Sequence, residues 1–338
     1  MATIYDVAKE AGVSIATVSK VINETGRISD KTRQHVRNVM KQLDYQPSLV
    51  ASALTKKRTN TIGLLLPDLG NLFFAEVARS VEDRAHEKGY NVVICSTDND
   101  ADKEEKYLAW LRQKRVDGII LATGMQSDKS VKSLLDARLP VALIARESRR
   151  LSVDTVRVDD FRGGYLAASH LVELGHTRIA VIAENLSVSS SRERVEGYKK
   201  ALEEAGLPVD EALIRISSFD IEGGKEAARQ LLELPEPPTA VFACNDLLAI
   251  GIMQVCRAMG LAVPARLSVV GFDNTLIASL AEPPLTTIAQ PIPDLGREVV
   301  DLITQEIHGE KQTKQRVVLD PRLIRRGSTA SAPAQAPR

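Results

Sequence analysis

Residues 3–23, TIYDVAKEAGVSIATVSKVIN, constrain this chain more than any other stretch. They predict two short helices broken by one tight turn. Thr3, with Asp6 three residues on, makes an N-terminal cap, Val7, Ala8 and Ala11 form an apolar face, and Gly12 supplies a left-handed stop. Ser14 opens the second helix. There Val18, Val21 and Ile22 recur at i, i+3 and i+4 and turn inward, leaving Ala16, Ser19, Lys20 and Asn23 facing out. A small, polar outer face with one cation suits a helix in a DNA major groove, where short side chains let the backbone approach the base edges.

A helix-Gly-helix pattern also builds ordinary helical hairpins, so the neighbouring residues decide. Ser29, with Thr32 behind it, opens a third helix whose Val36, Val39, Met40 and Leu43 can cover the first two. The first 60 residues hold ten Lys and Arg against five Asp and Glu, a net of +5; the whole chain balances 44 against 44, so the rest carries −5. A neutral protein with a basic head has gathered its phosphate-binding charge in one domain.

At 338 residues the chain accommodates such a head plus a large body with its own core. Cys95, Cys244 and Cys256 are widely spaced in apolar surroundings, which predicts buried thiols rather than metal ligands or disulfides. Met1 leads straight into the first helix and no apolar run reaches the ~18 residues that span a bilayer, so a cytoplasmic protein with no membrane partner is expected. Between head and body, Tyr45-Gln46-Pro47 precedes an apolar segment, 48–54, and the basic stretch 55–60. A helix this short is marginal alone, below the ~12 residues usually needed in water, and would form only against a second copy and a DNA groove, with Leu49, Ala53 or Leu54 as contacts. The alternative is a plain linker.

The head resembles that of the lactose-repressor/galactose-repressor family of bacterial transcription regulators, through TIYDVAKEAGVS-x-ATVSKVIN, Tyr45-x-Pro47 and the hinge ending Ala51-x-x-Leu54. The resemblance implies that Ile15, Ala16 and Lys20 read bases and that Thr17 and Ser19 contact the DNA backbone. It also implies that Leu54 is wedged into the minor groove at the operator centre. Ser48 and Ser52 depart from the usual hinge Asn and Arg, leaving Lys56, Lys57 and Arg58 to supply phosphate affinity. One reading helix per chain and a hinge that needs a partner predict a homodimer on a palindromic operator.

From Thr61 the pattern becomes short apolar strands alternating with amphipathic helices, the signature of α/β architecture with parallel sheets covered on both faces. Strands are predicted at 62–66, 92–95, 118–121, 141–144, 155–158, 179–182, near 214, and at 241–243, 269–272, 286–289 and 317–319. Helices between them fall at 74–88, 102–115, 128–138, 163–174, 192–205, 223–234, 246–259 and 294–308. This divides the chain into a helix-turn-helix domain (1–46), a hinge (47–60) and a body (61–338). The body splits into an N-subdomain, about 61–160 and 291–320, and a C-subdomain, about 161–290 and 321–330. The resemblance covers residues 2 to about 327 and implies a body like the periplasmic sugar-binding proteins.

Ligands of open α/β sheets sit beyond the carboxyl ends of strands, which nominates a cleft between the subdomains. Candidate ligand groups at those ends are Asn71, Phe73, Phe74, Arg146, Arg194, Phe219, Asn245, Asp246, Asp273 and Gln290, the aromatics stacking on a ring and the polar groups holding hydroxyls. The implied effector is a sugar, sugar acid or sugar phosphate. Ala145 stands where the sugar-binding relatives tend to carry an Asp before the Arg, which leaves Arg146 and Arg194 less neutralised and favours an acidic effector.

A G-x-G-x-x-G, a Walker A loop, a G-x-S-x-G elbow and a His/Cys metal spacing are all missing from the sequence, so neither an enzyme nor a cofactor or metal is expected. A free solute-binding protein is opposed by the basic head. The chain's first hundred residues also resemble catabolite-control members whose corepressor is a phosphocarrier protein. Those commonly enter the last helix with Tyr-Asp, whereas Pro293-Asp294 stands here.

Overall fold

The computed structural model describes residues 2–45, 58–122, 128–148 and 151–333, so the expected hinge contacts Leu49, Ala53 and Leu54 lie outside the described residues. The chain forms two compact units: a head that runs to Thr61 and takes in Arg115–Asp117, and a body from Ile62 onward.

The described residues of the head form three helices, α1 (Ile4–Glu10), α2 (Ile15–Ile22) and α3 (Asp30–Gln42). Each begins on a hydroxyl. Thr3 Oγ1 accepts from the Asp6 amide while the Asp6 carboxylate accepts from the Thr3 amide, a complete capping box. Ser14 and Ser29 accept from the amides of Thr17 and Thr32 in the same way. Gly12 has φ +62°, a conformation that costs glycine no Cβ clash, and the chain turns there from α1 into α2. Val7, Ala8, Val18, Val21, Val36 and Val39 then meet in one buried cluster. Three caps and a small set of apolar residues thus hold the domain together.

The body contains two six-stranded sheets. In chain order its elements begin β1 (Thr61–Leu66), α4 (Leu72–Glu87), β2 (Asn91–Ser96), α5 (Ala101–Gln113), β3 (Gly118–Leu121), α6 (Asp128–Asp136), β4 (Val141–Ile144) and β5 (Asp154–Val158). The second half runs α7 (Asp160–Glu173), β6 (Ile179–Ala183), α8 (Ser189–Glu204), β7 (Ile214–Ile216), α9 (Ile221–Leu232), β8 (Ala240–Ala243), α10 (Asp246–Ala258) and β9 (Ser268–Asp273). It closes with α11 (Leu276–Leu280), β10 (Thr286–Ala289), α12 (Ile292–His308), β11 (Arg316–Leu319) and β12 (Arg322–Ile324).

The first sheet has the order β11-β5-β4-β3-β1-β2 and the second β12-β10-β9-β8-β6-β7. The chain therefore crosses between sheets three times, after β5, after β10 and after β11. In the second sheet β10 and β12 pair antiparallel, while the β6–β7, β6–β8, β8–β9 and β9–β10 pairs are parallel. Alternate residues feed opposite faces: Ile182, Val241 and Val269 pack under α9 and α10, whereas Val181, Phe242 and Val270 pack under α7 and α8. A strand buried on both faces reads as a continuous apolar run, which is why these strands stand out in the sequence.

Two elements depart from the expected pattern. β12 and α11 have no counterpart in the alternation, because β12 is a three-residue antiparallel edge that starts on Arg322 and is followed by Arg325, and α11 is a five-residue helix with Leu276 and Leu280 exposed. α7 starts at Asp160 rather than 163. Asp159 caps it through the Arg162 amide, and its glycines are packing residues: a Cβ on Gly164 would lie 2.0 Å from the Arg194 carbonyl oxygen, so α7 and α8 touch backbone to backbone.

The tail after β12 folds back on the second sheet. Ser328 is fully buried, bonding Val269 and Thr286, and His176 is wedged between Thr239 at 2.9 Å, Ser268 at 3.1 Å and the Ala330 carbonyl at 3.1 Å. Burial lowers the His176 pKa from its ordinary value near 6.5, outweighing the Ala330 contact. The folded state thus keeps the ring neutral where the unfolded chain protonates it, so this residue's contribution is present above pH ~6.5 and is lost as pH falls through the folded pKa. His176→Gln should therefore be less stable than wild type at pH 8, with the gap narrowing toward pH 5. Urea unfolding at several pH values measures that difference, in which the carboxylates common to both proteins cancel.

Candidate functional site

The exposed side of α2 comes first. Ile15 is 41% exposed, and Ala16 and Lys20 are exposed beside it. Thr17 and Ser19 are half-buried at the edge of the same face, Thr17 sharing a 2.9 Å hydroxyl contact with Ser14. Asn23, expected to face out, folds back: its amide donates to the Ser19 carbonyl at 2.9 Å. α2 thus presents a short ridge of Ile15, Ala16 and Lys20 over a core that never uses them.

In the body, the carboxyl ends of strands from both sheets surround a cavity of about 410 Å³. Pro67, Asp68 and Asn71 follow β1, Asn99 follows β2, Ala145 and Arg146 follow β4, and Asp160 follows β5. From the second sheet come Glu184 and Asn185 after β6, Ser217 to Asp220 after β7, Asp273 at the end of β9 and Gln290 after β10. β1 lies between β3 and β2, so the order in which strands are added reverses there, the kind of switch point that opens a crevice in such sheets.

Eight of the ten candidate residues line this cavity: Asn71, Phe73, Phe74, Arg146, Arg194, Phe219, Asp273 and Gln290. Phe73 and Phe74 meet edge to face with centroids 5.0 Å apart, while Phe219 reaches in from the other sheet. Asn71 caps α4 through the Phe73 amide, which consumes its oxygen and leaves its NH2 for a ligand. Asn245 and Asp246 are not in the wall. Asn245 is fully buried as the cap of α10, accepting from Leu248 at 2.7 Å and donating to the Phe219 carbonyl at 3.1 Å. Asp246 accepts from the Thr275 amide and hydroxyl and from Thr287, and burial raises its pKa to about 6. Both side chains begin a helix rather than line the cavity.

The two arginines differ. Arg194 is 6% exposed; its Nε donates to Asp160 Oδ1 at 2.8 Å, its Nη1 to the Cys244 carbonyl at 2.5 Å, and its guanidinium stacks 3.6 Å over the Phe272 ring. The expectation that Arg194 is poorly neutralised is therefore corrected, since Asp160 pairs with it directly. Arg146 does stand apart: Nε donates to the Ala122 carbonyl at 2.6 Å, and no carboxylate of the described residues pairs with it. Burial lowers its pKa, partly offset by the charges of Glu184 and Glu104. Its Nη1 and Nη2 remain as an open fork on the cavity.

Backbone conformation aims these groups. Ala145 has φ +56° and Asp273 φ +112°, both costly for a residue with a Cβ, and they immediately precede or carry charged cavity side chains. Asp273 is 4% exposed, takes a 2.7 Å bond from Gln290, and is held well above the usual carboxylate pKa by burial despite the nearby Arg194. Asp160, Glu184, Asn185 and Asp220 carry no motif that marks them in the sequence. The only sequence signal is their position just past a predicted strand.

A helix-turn-helix with an exposed second helix and a mixed polar and aromatic cavity in a two-sheet body point to a DNA-binding regulator with a ligand-type body. Comparison with known proteins agrees. The family described as bacterial regulatory proteins, lacI family, matches residues 3–48, and the periplasmic binding protein-like domain matches residues 168–329. The HTH-type transcriptional regulator DegA of Bacillus subtilis (strain 168) is 51% identical over 331 residues, 97% of this chain and 98% of that protein. Among solved structures, the lac repressor dimer bound to operator and the anti-inducer ONPF is 31% identical with a TM-score of 0.88, covering 97% of this chain and 99% of that one. The transcriptional regulator CelR–cellobiose complex is 33% identical with a TM-score of 0.75, covering 97% and 100%. The chain belongs to the lacI family of bacterial regulatory proteins, and it is a DNA-binding transcription regulator.

Proposed function

We propose that the protein is a homodimeric, cytoplasmic repressor with no catalytic activity, whose grip on a palindromic operator is set by a small carbohydrate-type effector in the body cavity. The carrying observation is the cavity: about 410 Å³, bounded by both subdomains, with Phe73, Phe74 and Phe219 beside a set of polar donors and acceptors. Aromatic faces cover the apolar side of a sugar ring while paired polar groups take its hydroxyls. CelR was solved with cellobiose and a lacI-family regulator of Enterococcus faecium with ribose, which supports the same use here.

A ligand touching both subdomains favours the closed arrangement, and that preference is what can shift an equilibrium toward or away from the DNA-binding form. Ile15, Ala16 and Lys20 are proposed to read base edges, with Thr17 and Ser19 on the phosphates and Leu54 in the minor groove. Selection of duplexes from a random pool should yield a palindrome. Operator affinity, followed by fluorescence anisotropy, should then change on adding one member of a sugar panel, and a fragment of residues 1–60 should bind more weakly and ignore that sugar. Enrichment of non-palindromic DNA, or a sugar response in the fragment, would contradict the proposal.

A further inference from the structure

The reading of the cavity as an effector site leaves the ligand class open, and the inventory of unspent polar atoms narrows it. Among the described residues, Glu184 makes no side-chain hydrogen bond or ion pair, although it is only half-exposed and faces the cavity. Its main chain is anchored, the Glu184 carbonyl taking a 3.1 Å bond from Ser191. Burial raises the carboxyl's pKa against the opposing pull of Arg146 and Arg194, so it lies within the field of both guanidiniums.

The other groups are each half spent. Asp273 gives one oxygen to Gln290 and Asp220 gives one to Gly223 and Ser218, which leaves a second acceptor on each. Asn71 and Asn185 use their oxygens on the Phe73 and Ser187 amides, which leaves their NH2 groups. Arg146 keeps its two terminal nitrogens. With Asp160 cancelling Arg194, one unpaired guanidinium remains in a cavity that also holds the carboxyl groups of Asp68, Glu184 and Asp220, while burial favours the neutral acid at Asp273.

A carboxylate or phosphate only accepts hydrogen bonds, so it could satisfy Arg146 and the amides but would meet the carboxylates as a like charge. A hydroxyl both donates and accepts. A set of hydroxyls therefore matches a wall that carries both open donors and open acceptors, with Arg146 donating from the first subdomain and Glu184 accepting from the second.

We infer that Glu184 is a specificity-determining residue of this cavity: its open carboxylate, sharing the cavity with the open Arg146 fork, selects a neutral polyhydroxylated ligand and turns away the matching sugar acid or phosphate. This rests on the proposed effector function of the cavity, and it reverses the acidic preference expected from Ala145 alone.

Calorimetry on the full-length protein with matched pairs tests it: D-ribose with D-ribose 5-phosphate, D-glucose with D-glucuronate, cellobiose with cellobionate. Wild type should prefer the neutral member of whichever pair binds. In Glu184→Gln and Glu184→Ala, with folding checked by circular dichroism, the neutral-over-anionic ratio should fall about tenfold or more, the worth of one charge-assisted contact. Gln should keep more affinity for the neutral member than Ala, because its amide can still accept and donate. An anionic preference in wild type, or a ratio unchanged in both variants, would overturn the role of Glu184 while leaving the cavity's effector role standing. Binding of no pair member to wild type at millimolar concentration would overturn the carbohydrate reading itself, and Glu184 with it.

Discussion

Arg194→Met should destabilise the body by about 3–5 kcal/mol in urea unfolding, because it strands the Asp160 carboxylate in the interior. Arg194 and Asp160 have side chains each 7% exposed and are joined at 2.8 Å, with the arginine also bonded to Cys244 and stacked on Phe272. Removing one partner exposes the full desolvation cost of the other, whereas removing both does not. The double variant Arg194→Met/Asp160→Leu should therefore recover most of the lost stability, although its ligand binding should stay impaired because both residues line the cavity. A single variant within 1 kcal/mol of wild type would show that the pair is not the strut between the start of α7, α8 and the end of β8 that the geometry describes.

Leu54→Ala should lower operator affinity about a hundredfold while leaving binding to random DNA nearly unchanged. An apolar wedge between base steps repays an unstacking cost of a few kcal/mol only on the sequence it fits, and it touches no phosphate. The slope of log affinity against log salt should accordingly match wild type. Lys20→Ala should behave differently, relaxing base preference at one position of each half-site. If its ammonium also neutralises a phosphate, the slope should flatten by roughly one unit as well. Equal losses on operator and random duplexes for Leu54→Ala would dismiss the wedge. Anisotropy titrations at three salt concentrations on both duplexes are sufficient.

The head was readable residue by residue because its signals are local. Thr3, Ser14 and Ser29 cap helices three residues downstream, Gly12 turns the chain, and Val18 and Val21 fall on the buried side by periodicity alone. The body's alternation was equally legible, since strands covered on both faces are short and uniformly apolar; β3, β4 and β10 fall on the predicted residues. β12 escaped because its single pairing, antiparallel to β10, supplies the order that its Arg-Leu-Ile sequence does not.

The cavity shows where local reading stops. Strand-end position located its wall, yet Asn245 and Asp246 sit at the same kind of position as Glu184 and face the other way, into the cap of α10 and toward Thr275 and Thr287. Which way a strand-end side chain turns depends on the partners that three crossings between two sheets bring beside it. The charge of the site depends on the same long-range placement: Arg194 and Asp160 are 34 residues apart and cancel, while Arg146 and Glu184, 38 residues apart, each keep groups open to the cavity. Periodicity, capping and motif were enough for the family and for every helix and strand except α11 and β12. Which arginine is free follows from the packing of the two sheets, since neutralisation is a matter of a few ångströms between residues that periodicity does not relate.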